Sequence, residues 1–232
     1  MKRLATLLLA LLFIFSLTAC TPEDNSNVSK SEPSDTESSK VESKIPTPPE
    51  DMVYKPVIYL YPEETVDVEV ELDYKGKLTC VYPEYNGKWS VTAEPDGTLT
   101  DDNGMEYNYL YWEGISGIEY DFSKGFCVSG KDTAKFLEDA LSKLGLTRRE
   151  ANEFIVFWLP QMQENKFNLI SFQFDNYKEA AKLTVSPKPE TEIRVFMAWK
   201  SLDKEIEIEP QELVAPERKG FTLVEWGGSK VN

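Results

Sequence analysis

Tyrosine residues are concentrated in two short segments of this chain, where their spacing could build a surface for ligand binding. Residues 106–113 read EYNYLYWE, and residues at alternate positions of a strand point to the same side of a sheet. Two further tyrosines, within YLY at 59–61, have the same spacing. Exposed aromatic side chains form flat amphipathic platforms on which sugars and peptides can stack. The candidate binding residues are Tyr59, Tyr61, Tyr107, Tyr109, Tyr111 and Trp112.

The same rings have an alternative role in the protein interior. Tyrosine is commonly part-buried, with its ring packed in the core or against a neighbouring strand and its hydroxyl at the edge. Interior packing is the more frequent outcome for a tyrosine. The exposure of these rings therefore decides between a binding surface and a core.

Carboxylates could instead carry hydrolysis. Glu113 ends the tyrosine segment, and Glu119 and Asp121 follow two glycines. The acid and the nucleophile of a glycosidase stand about 5–9 Å apart, a separation that acids on neighbouring strand ends can meet. Because the chain contains 40 acidic residues, a suitable pair arises easily. We therefore assign no catalytic residue.

A second acidic pattern could bind a hard cation such as calcium. Four acids alternate with apolar residues over 66–73, so their side chains would lie about 7 Å apart on one strand face. These acids are Asp67, Glu69, Glu71 and Asp73. A single strand does not supply six oxygens from one place, so a solvated strand face is the expected role. We predict no metal site and no cofactor.

The composition excludes several classes of function. The chain has 25 Lys and Arg against 40 Asp and Glu, a formal charge of −15, and no histidine. Without histidine there is no Ser-His-Asp or Cys-His catalysis, and with only three cysteines the ordinary zinc sites cannot be assembled. Such an acidic chain does not hold nucleic acid by counterion release. Cys80 and Cys127 could form a disulfide outside the cytoplasm or remain free thiols, and their strand settings leave both possibilities open.

The elements that would position these residues are strands, then two helices, then strands again. The predicted strands are 57–61, 66–72, 78–82, 89–93, 98–100, 105–112, 168–174, 183–186, 193–199 and 221–226, with a further alternating stretch at 205–209. A turn at Asn86 and Gly87 is predicted to join the strands 78–82 and 89–93. Helical stripes at 136–144 and 151–162 predict a helical hairpin, with Gly145 as a C-cap and Thr147 and Glu150 as a capping box. This order predicts an α+β fold, an antiparallel β-rich domain with an inserted helical hairpin.

The N-terminus has the features of an export signal. Two basic residues precede an uncharged apolar run over 4–17, which is short for a membrane-spanning helix. The run ends in LTAC at 17–20, which resembles the lipobox of bacterial lipoproteins. The resemblance implies cleavage before Cys20 and a diacylglyceryl group on its thiol, and two acyl chains give a stable membrane attachment that one chain does not. An ordinary secreted protein cut at the same point is the alternative.

The segment after Cys20 predicts a tether between the membrane and a globular body. Residues 20–50 are rich in Ser, Glu and Pro and contain no aromatic residue, so they cannot bury enough surface to offset their ordering entropy. The predicted organisation is a lipoprotein signal peptide at 1–19, a lipidated and disordered tether at 20–50, and a single α+β globular domain at 51–232.

Two segments of the globular part, KPVIYLYP at 55–62 and EANEFIVFWLP at 150–160, resemble an uncharacterised family of exported bacterial proteins. The likeness covers most of residues 54–228. It implies export and supplies no catalytic residue, because we know of no activity assigned to that family.

These observations together predict a lipid-anchored protein on the extracytoplasmic face of the cell membrane. Its globular part is expected to bind a cell-wall glycan, a peptide or another envelope protein, and not nucleic acid. A carboxylate-based, glycosidase-like hydrolase and a structural envelope component are the alternatives. The absence of a complete catalytic set in the sequence favours binding over catalysis.

Overall fold

The computed structural model describes residues 52–231, which belong to one compact unit, Pro46–Asn232. The predicted signal peptide at 1–19, the lipidation site Cys20 and the tether at 20–50 lie outside these residues. Within the described part, no helix is both long and apolar enough to cross a membrane.

The described residues form twelve strands in two sheets, together with three α-helices and one 3₁₀ turn. The strands are β1 (Met52–Tyr61), β2 (Val66–Tyr74), β3 (Lys77–Tyr82), β4 (Trp89–Ala93), β5 (Leu99–Thr100), β6 (Glu106–Tyr107), β7 (Leu110–Ile115), β8 (Phe126–Ser129), β9 (Phe167–Gln173), β10 (Ala181–Ser186), β11 (Thr191–Leu202) and β12 (Thr222–Lys230). The helices are α1 (Thr133–Lys143), α2 (Arg148–Met162) and α3 (Asp175–Ala180), and the 3₁₀ turn is Gly130–Asp132. The predicted α+β class with an inserted helical segment is confirmed.

The large sheet has the strand order β3-β7-β1-β12-β11-β9-β8, and the small sheet has the order β10-β2-β4-β5-β6. All the strand pairs are antiparallel except β11 with β12, which is parallel. Strand β1 lies inside the large sheet, between β7 and β12.

The large sheet is covered on both faces, which makes three layers. Helices α1 and α2 pack on one face, where Phe154 meets Trp226 of β12 and Trp158 meets Trp199 of β11. The small sheet packs on the other face, which contributes Ile58 and Leu60 to the second core. Successive residues of β1 therefore point into opposite cores. This explains why 57–61 is a continuous apolar run and not an alternating one.

The helical hairpin forms as its sequence predicts. Gly145 has a φ of 88°, the left-handed conformation of a helix C-cap. The Glu150 backbone N–H donates to Thr147 Oγ1 at 3.3 Å, and the Thr147 N–H donates to Glu150 Oε2 at 2.7 Å, so the capping box is present. Helix α2 continues through Pro160 and ends two residues later, at Met162. The proline thus lies in the last turn, where few backbone bonds follow it.

Three local predictions differ from the structure. The predicted strand at 105–112 is two strands: β6 joins the small sheet, whereas β7 joins the large sheet. The turn at Asn86 and Gly87 does not join a hairpin, because β3 and β4 belong to different sheets. The alternating stretch 205–209 forms no strand and makes a single bridge from Glu209 to Lys124. In the first two cases pairing between distant segments overrides the local pattern.

The two described cysteines lie at opposite edges of the large sheet. Cys80 belongs to edge strand β3 and Cys127 to edge strand β8, and both are free. Six strand spacings of about 4.8 Å put these edges roughly 29 Å apart. A disulfide needs Cα atoms within about 7 Å, so these thiols cannot be linked within one molecule.

Candidate functional site

A bulge in β1 places Lys55 at the surface of the large sheet. Tyr54 pairs with Gly228 and Val57 pairs with Trp226, so two residues of β1 lie opposite one residue of β12. Lys55 has a φ of 50° and is the single non-glycine residue in the described part of the chain with a positive φ. A side chain in this left-handed region costs roughly 1–2 kcal/mol. Bulges of this kind redirect a side chain, and residues held under strain cluster at functional sites.

A glycine in β12 allows the bulge to pack closely. A Cβ atom on Gly227 would lie 3.0 Å from atoms of Pro56, the second residue of the bulge. The Lys55 backbone N–H donates to Glu113 Oε1 of β7 at 3.2 Å. The bulge is therefore fixed from both neighbouring strands.

The Lys55 ammonium group lies over two aromatic rings. Its Nζ is 5.1 Å from the ring centre of Phe157 in α2 and 5.2 Å from that of Trp226 in β12. Burial lowers the pKa of Lys55 below its ordinary value, while the nearby carboxylates of Glu153 and Glu113 partly oppose that change. Among the described residues, the Lys55 ammonium has no ion pair and no hydrogen-bond acceptor. Its three N–H donors are thus available to a ligand.

Lys55 lines a cleft of about 710 Å³, which we call the large cleft. Strands β1 and β7 form its floor, α2 supplies Phe157, and the segment around β6 forms its opposite side. The large cleft is lined by Lys55, Tyr82, Thr98, Glu106, Tyr107, Asn108, Tyr109, Tyr111, Glu113 and Phe157. It combines aromatic surfaces with hydroxyl, amide, ammonium and carboxylate groups, and its size suits a small organic ligand.

A second depression of about 160 Å³, which we call the small cleft, adjoins the large one. Thr98 and Asn108 line both. The small cleft is lined by Tyr59, Tyr61, Asp96, Gly97, Thr98, Asn108, Arg149 and Glu153. Arg149 and Glu153 come from the first turns of α2, which the capping box directs towards β1.

The structure brings five of the six aromatic candidates to these two clefts. Tyr107, Tyr109 and Tyr111 line the large cleft, whereas Tyr59 and Tyr61 line the small one. Four of them are half-buried, and Tyr59 is only 5% exposed. Both interpretations of the tyrosines therefore apply in part, because each ring packs on the core with one side and faces a cleft with another.

The tyrosine rings contact one another both within β1 and between β1 and the segment before β7. Tyr59 stacks on Tyr61 with ring centres 6.1 Å apart, and it meets Tyr109 edge-on at 5.4 Å. The Tyr59 hydroxyl donates to Glu153 Oε2 at 2.9 Å and accepts a hydrogen bond from Trp226 Nε1 at 3.3 Å. Burial and the adjacent Glu153 carboxylate raise the pKa of Tyr59 well above its ordinary value, and burial has the same effect on the pKa of Tyr61. These phenols stay neutral at physiological pH.

Trp112, the sixth candidate, does not line either cleft. Its side chain is fully buried on the opposite face of β7, in the core below the small sheet. The indole N–H donates to Glu225 Oε1 at 3.3 Å, and the ring meets Tyr74 with ring centres 4.8 Å apart. The alternation that puts Tyr111 in the cleft necessarily puts Trp112 in the core. Trp112 is therefore excluded from the site.

The three acids considered for hydrolysis do not come together. Glu113 lines the large cleft, whereas Glu119 borders a separate shallow depression beside Lys75. Asp121 is exposed, and its carboxylate accepts the Ser123 backbone N–H at 2.7 Å.

The acidic row on β2 is a solvated strand face. All four of its acids are exposed, while the alternating Val68, Val70 and Leu72 are buried. Asp67 accepts a hydrogen bond from the Thr92 hydroxyl at 2.7 Å, and Glu69 pairs with a lysine of the neighbouring loop. Within residues 52–231, no group of three or more Cys, Asp or Glu side chains is arranged to hold a metal ion.

Several cleft residues were not among the sequence candidates. They are Lys55, Tyr82, Thr98, Asn108, Arg149, Glu153 and Phe157. Three of these, Lys55, Glu153 and Phe157, lie in the segments 55–62 and 150–160 that carried the resemblance to exported proteins. The resemblance of these two distant segments to one family was the sequence signal that could have identified Lys55, Glu153 and Phe157 as residues of the site, because the segments meet in the fold.

The chain is similar to an uncharacterised protein of Butyrivibrio fibrisolvens, "Uncharacterized protein in bglA 3'region", with 51% identity over 63 residues. The match covers 26% of this chain, and it spans 65% of the length of that relative. No family model matches the chain, and no solved structure matches it. The similarity agrees with the expected likeness to uncharacterised proteins. The lipobox and the export of the protein stay predictions.

Proposed function

We propose that this protein is a membrane-anchored, extracytoplasmic lipoprotein whose globular domain binds a neutral glycan in the large cleft. The observation that carries the proposal is the open cleft of about 710 Å³ that is lined by four tyrosines and Phe157. Rings of this kind stack on the apolar faces of sugars at little entropic cost, because their own orientation is already fixed by packing.

The polar groups of the cleft fit sugar hydroxyls, which both donate and accept hydrogen bonds. Lys55 and Asn108 supply donors, whereas Glu106 and Glu113 supply acceptors. A polar group that is aligned with a ligand hydroxyl gives specificity, because an analogue without that hydroxyl leaves the group unpaired.

The charge of the two clefts favours a neutral ligand. The large cleft contains one cation, Lys55, and two carboxylates, and the small cleft contains one cation, Arg149, and two carboxylates. Residues 51–232 also carry 33 acids against 20 bases. A phosphate-bearing or uronic acid polymer would meet net repulsion here, whereas an uncharged sugar would not.

The arrangement of the strands favours a sugar over an extended peptide. Peptides that add to a sheet need a free strand edge. The floor strands β1 and β7 are both paired on their two sides, and the edge strands that reach the cleft supply only the two residues of β6 and the last residue of β3, which is too short an edge for an added strand. Recognition in this cleft therefore depends on side chains.

A glycan titration tests the binding function. We expect neutral β-linked oligosaccharides, such as tetra-N-acetylchitotetraose and cellotetraose, to raise the melting temperature of the protein and to stay intact on prolonged incubation. Replacement of Tyr109 and Tyr111 by alanine should abolish this stabilisation. Phe122→Ala is the matched control, because the Phe122 ring is half-buried and has the Lys200 ammonium over its face but lies outside the clefts.

Four outcomes contradict the proposed glycan binding. If glycans still raise the melting temperature of the double tyrosine variant, the large cleft is not the binding site. Cleavage of the oligosaccharide indicates a hydrolase, and stabilisation by peptides alone makes the ligand a peptide. Co-purification with one fixed partner, without any response to glycans, indicates a structural envelope component.

The membrane anchor has its own test. Metabolic labelling with a radioactive fatty acid should label the wild-type protein and leave Cys20→Ser unlabelled. An unlabelled wild-type protein in the medium, or an uncut one in the cytosol, would remove the anchor from the proposal.

A further inference from the structure

The large cleft continues beyond the site described above. A third depression of about 560 Å³, which we call the distal groove, lies along β4 and the turns that precede β4 and β6. Tyr82 and Tyr107 line both the large cleft and the distal groove. Because the small cleft shares Thr98 and Asn108 with the large one, the three depressions adjoin one another in a series, which we call the path.

The boundary between the large cleft and the distal groove is an aromatic pair at the surface. Tyr82 meets Tyr107 edge-on with ring centres 5.5 Å apart, and Tyr82 is 60% exposed. Met105, which lines the distal groove, is 58% exposed. Large apolar side chains held at a concave surface in this way mark sites of ligand contact.

The chemistry of the path repeats along its length. Each of the three depressions contains tyrosine rings, side-chain hydrogen-bonding groups and more carboxylates than cations; the distal groove contributes Glu84, Asp101 and Asp102 against Lys88. A ligand made of one repeated neutral unit would find similar partners in every part. A single sugar would use only a fraction of this surface.

Building on the proposed glycan-binding function, we infer that the ligand is a linear neutral oligosaccharide that crosses the Tyr82–Tyr107 pair and occupies both the large cleft and the distal groove. The rings of this pair then contact a unit near the middle of the bound chain. The small cleft provides a further position at the α2 end of the path.

Affinity as a function of ligand length tests the inference. Isothermal titration calorimetry with the N-acetylchito- and cello-oligosaccharide series, from the monosaccharide to the hexasaccharide, should show an increase in affinity of about two- to tenfold for each unit that gains an aromatic contact. The increase should stop when the path is filled. Binding of any oligosaccharide without dependence on length would overturn the inference and leave the proposed function intact, whereas no binding at any length would overturn both.

Variants at the boundary locate the path. Tyr82→Ala should remove the gain that the longer ligands show over the shorter ones, and it should also weaken the binding of the shorter ligands because Tyr82 lines the large cleft as well. Met105→Ala should reduce the same gain, and it provides a second probe that does not depend on the Tyr82 ring. Val214→Ala is the matched control, because Val214 is 69% exposed and lies outside the three depressions. An unchanged length profile in both Tyr82→Ala and Met105→Ala would contradict the crossing.

Discussion

Replacing Lys55 by alanine and by glycine separates the two contributions of the β1 bulge, backbone strain and ligand contact. Both replacements remove the ammonium that lies over Phe157 and Trp226. At a half-exposed site each such contact contributes about 0.5–1 kcal/mol, so we expect Lys55→Ala to destabilise the protein by about 1–2 kcal/mol. Only the glycine variant also relieves the positive φ of 50°.

The magnitude of that relief follows from the conformation. A left-handed backbone costs an L-residue about 1–2 kcal/mol, and this penalty disappears with glycine. Folding costs glycine about 0.5–1 kcal/mol more conformational entropy than alanine, because the unfolded chain has more freedom at a glycine. Lys55→Gly should therefore be more stable than Lys55→Ala by about 0.5–1 kcal/mol, which is about 1–4 °C in melting temperature for a domain of this size.

Lys182 provides the matched control for this comparison. It is exposed on β10, a strand with ordinary φ values, so alanine should be more stable than glycine there by about 0.5–1 kcal/mol. The difference between the two sites isolates the strain and should amount to about 1–2 kcal/mol. Urea denaturation of the four variants measures it, with the slope of the transition checked for constancy.

Two results would refute the reasoning about Lys55. If alanine is at least as stable as glycine at position 55, the bulge carries no strain. If both Lys55 variants bind oligosaccharides with wild-type affinity, the ammonium is not a ligand contact. We expect Lys55→Gly to be more stable than Lys55→Ala but to bind oligosaccharides as weakly as Lys55→Ala does. This combination would show that Lys55 both bears the backbone strain and contacts the ligand.

Three further predictions concern the core, the response to pH and the thiols. The buried Arg194 guanidinium pairs with Glu225, with Arg194 Nε 2.6 Å from Glu225 Oε2. Glu225→Gln should therefore lower the free energy of unfolding by about 3–5 kcal/mol in urea denaturation, because it leaves the Arg194 charge buried without its charged partner. Asp101 accepts hydrogen bonds from the Met105 backbone N–H and the Tyr107 hydroxyl, and these bonds lower the pKa of its carboxyl group. Ionised Asp101 therefore stabilises the folded protein fully above the ordinary pKa of about 4, and this stabilisation is lost as the pH falls through the lower pKa of the folded state. The melting temperature should therefore fall as the pH drops below about 4 in the wild type and should fall less in Asp101→Asn, and equal profiles of the two proteins would contradict this. A reducing agent should leave the melting temperature unchanged, since Cys80 and Cys127 are on opposite edges of the sheet; a shift on reduction would contradict the strand order.

The tyrosine prediction shows how far local spacing reaches. Alternation correctly placed Tyr109 and Tyr111 near each other, because both point to the same side of a strand. The same rule gave Trp112 to the opposite side, yet the sequence could not say which side was the core. Burial of both faces of the large sheet, one under helices and one under the small sheet, decided that question.

The far side of the large cleft depends on an interruption between β6 and β7 that the sequence did not reveal. Tyr107 and Tyr109 come from one continuous pattern, but the chain leaves the small sheet after Tyr107 and enters the large sheet at Leu110. This change of sheet lets β6 form the far side of the cleft. Pairing with β5 on one side and with β3 and β1 on the other imposes the interruption, and such long-range pairing is absent from a local window.

The sequence by itself determined the class of the fold, the helical hairpin with its caps and the exposed acidic row, because each of these depends on residues that are near one another in the chain. The site was decided by the tertiary structure. Lys55, Tyr109 and Phe157 are separated by about 50 residues each, and they meet because a one-residue bulge in β1 faces β7 and lies under α2. A binding surface of this kind arises from the packing of three elements, and no single segment carries its pattern.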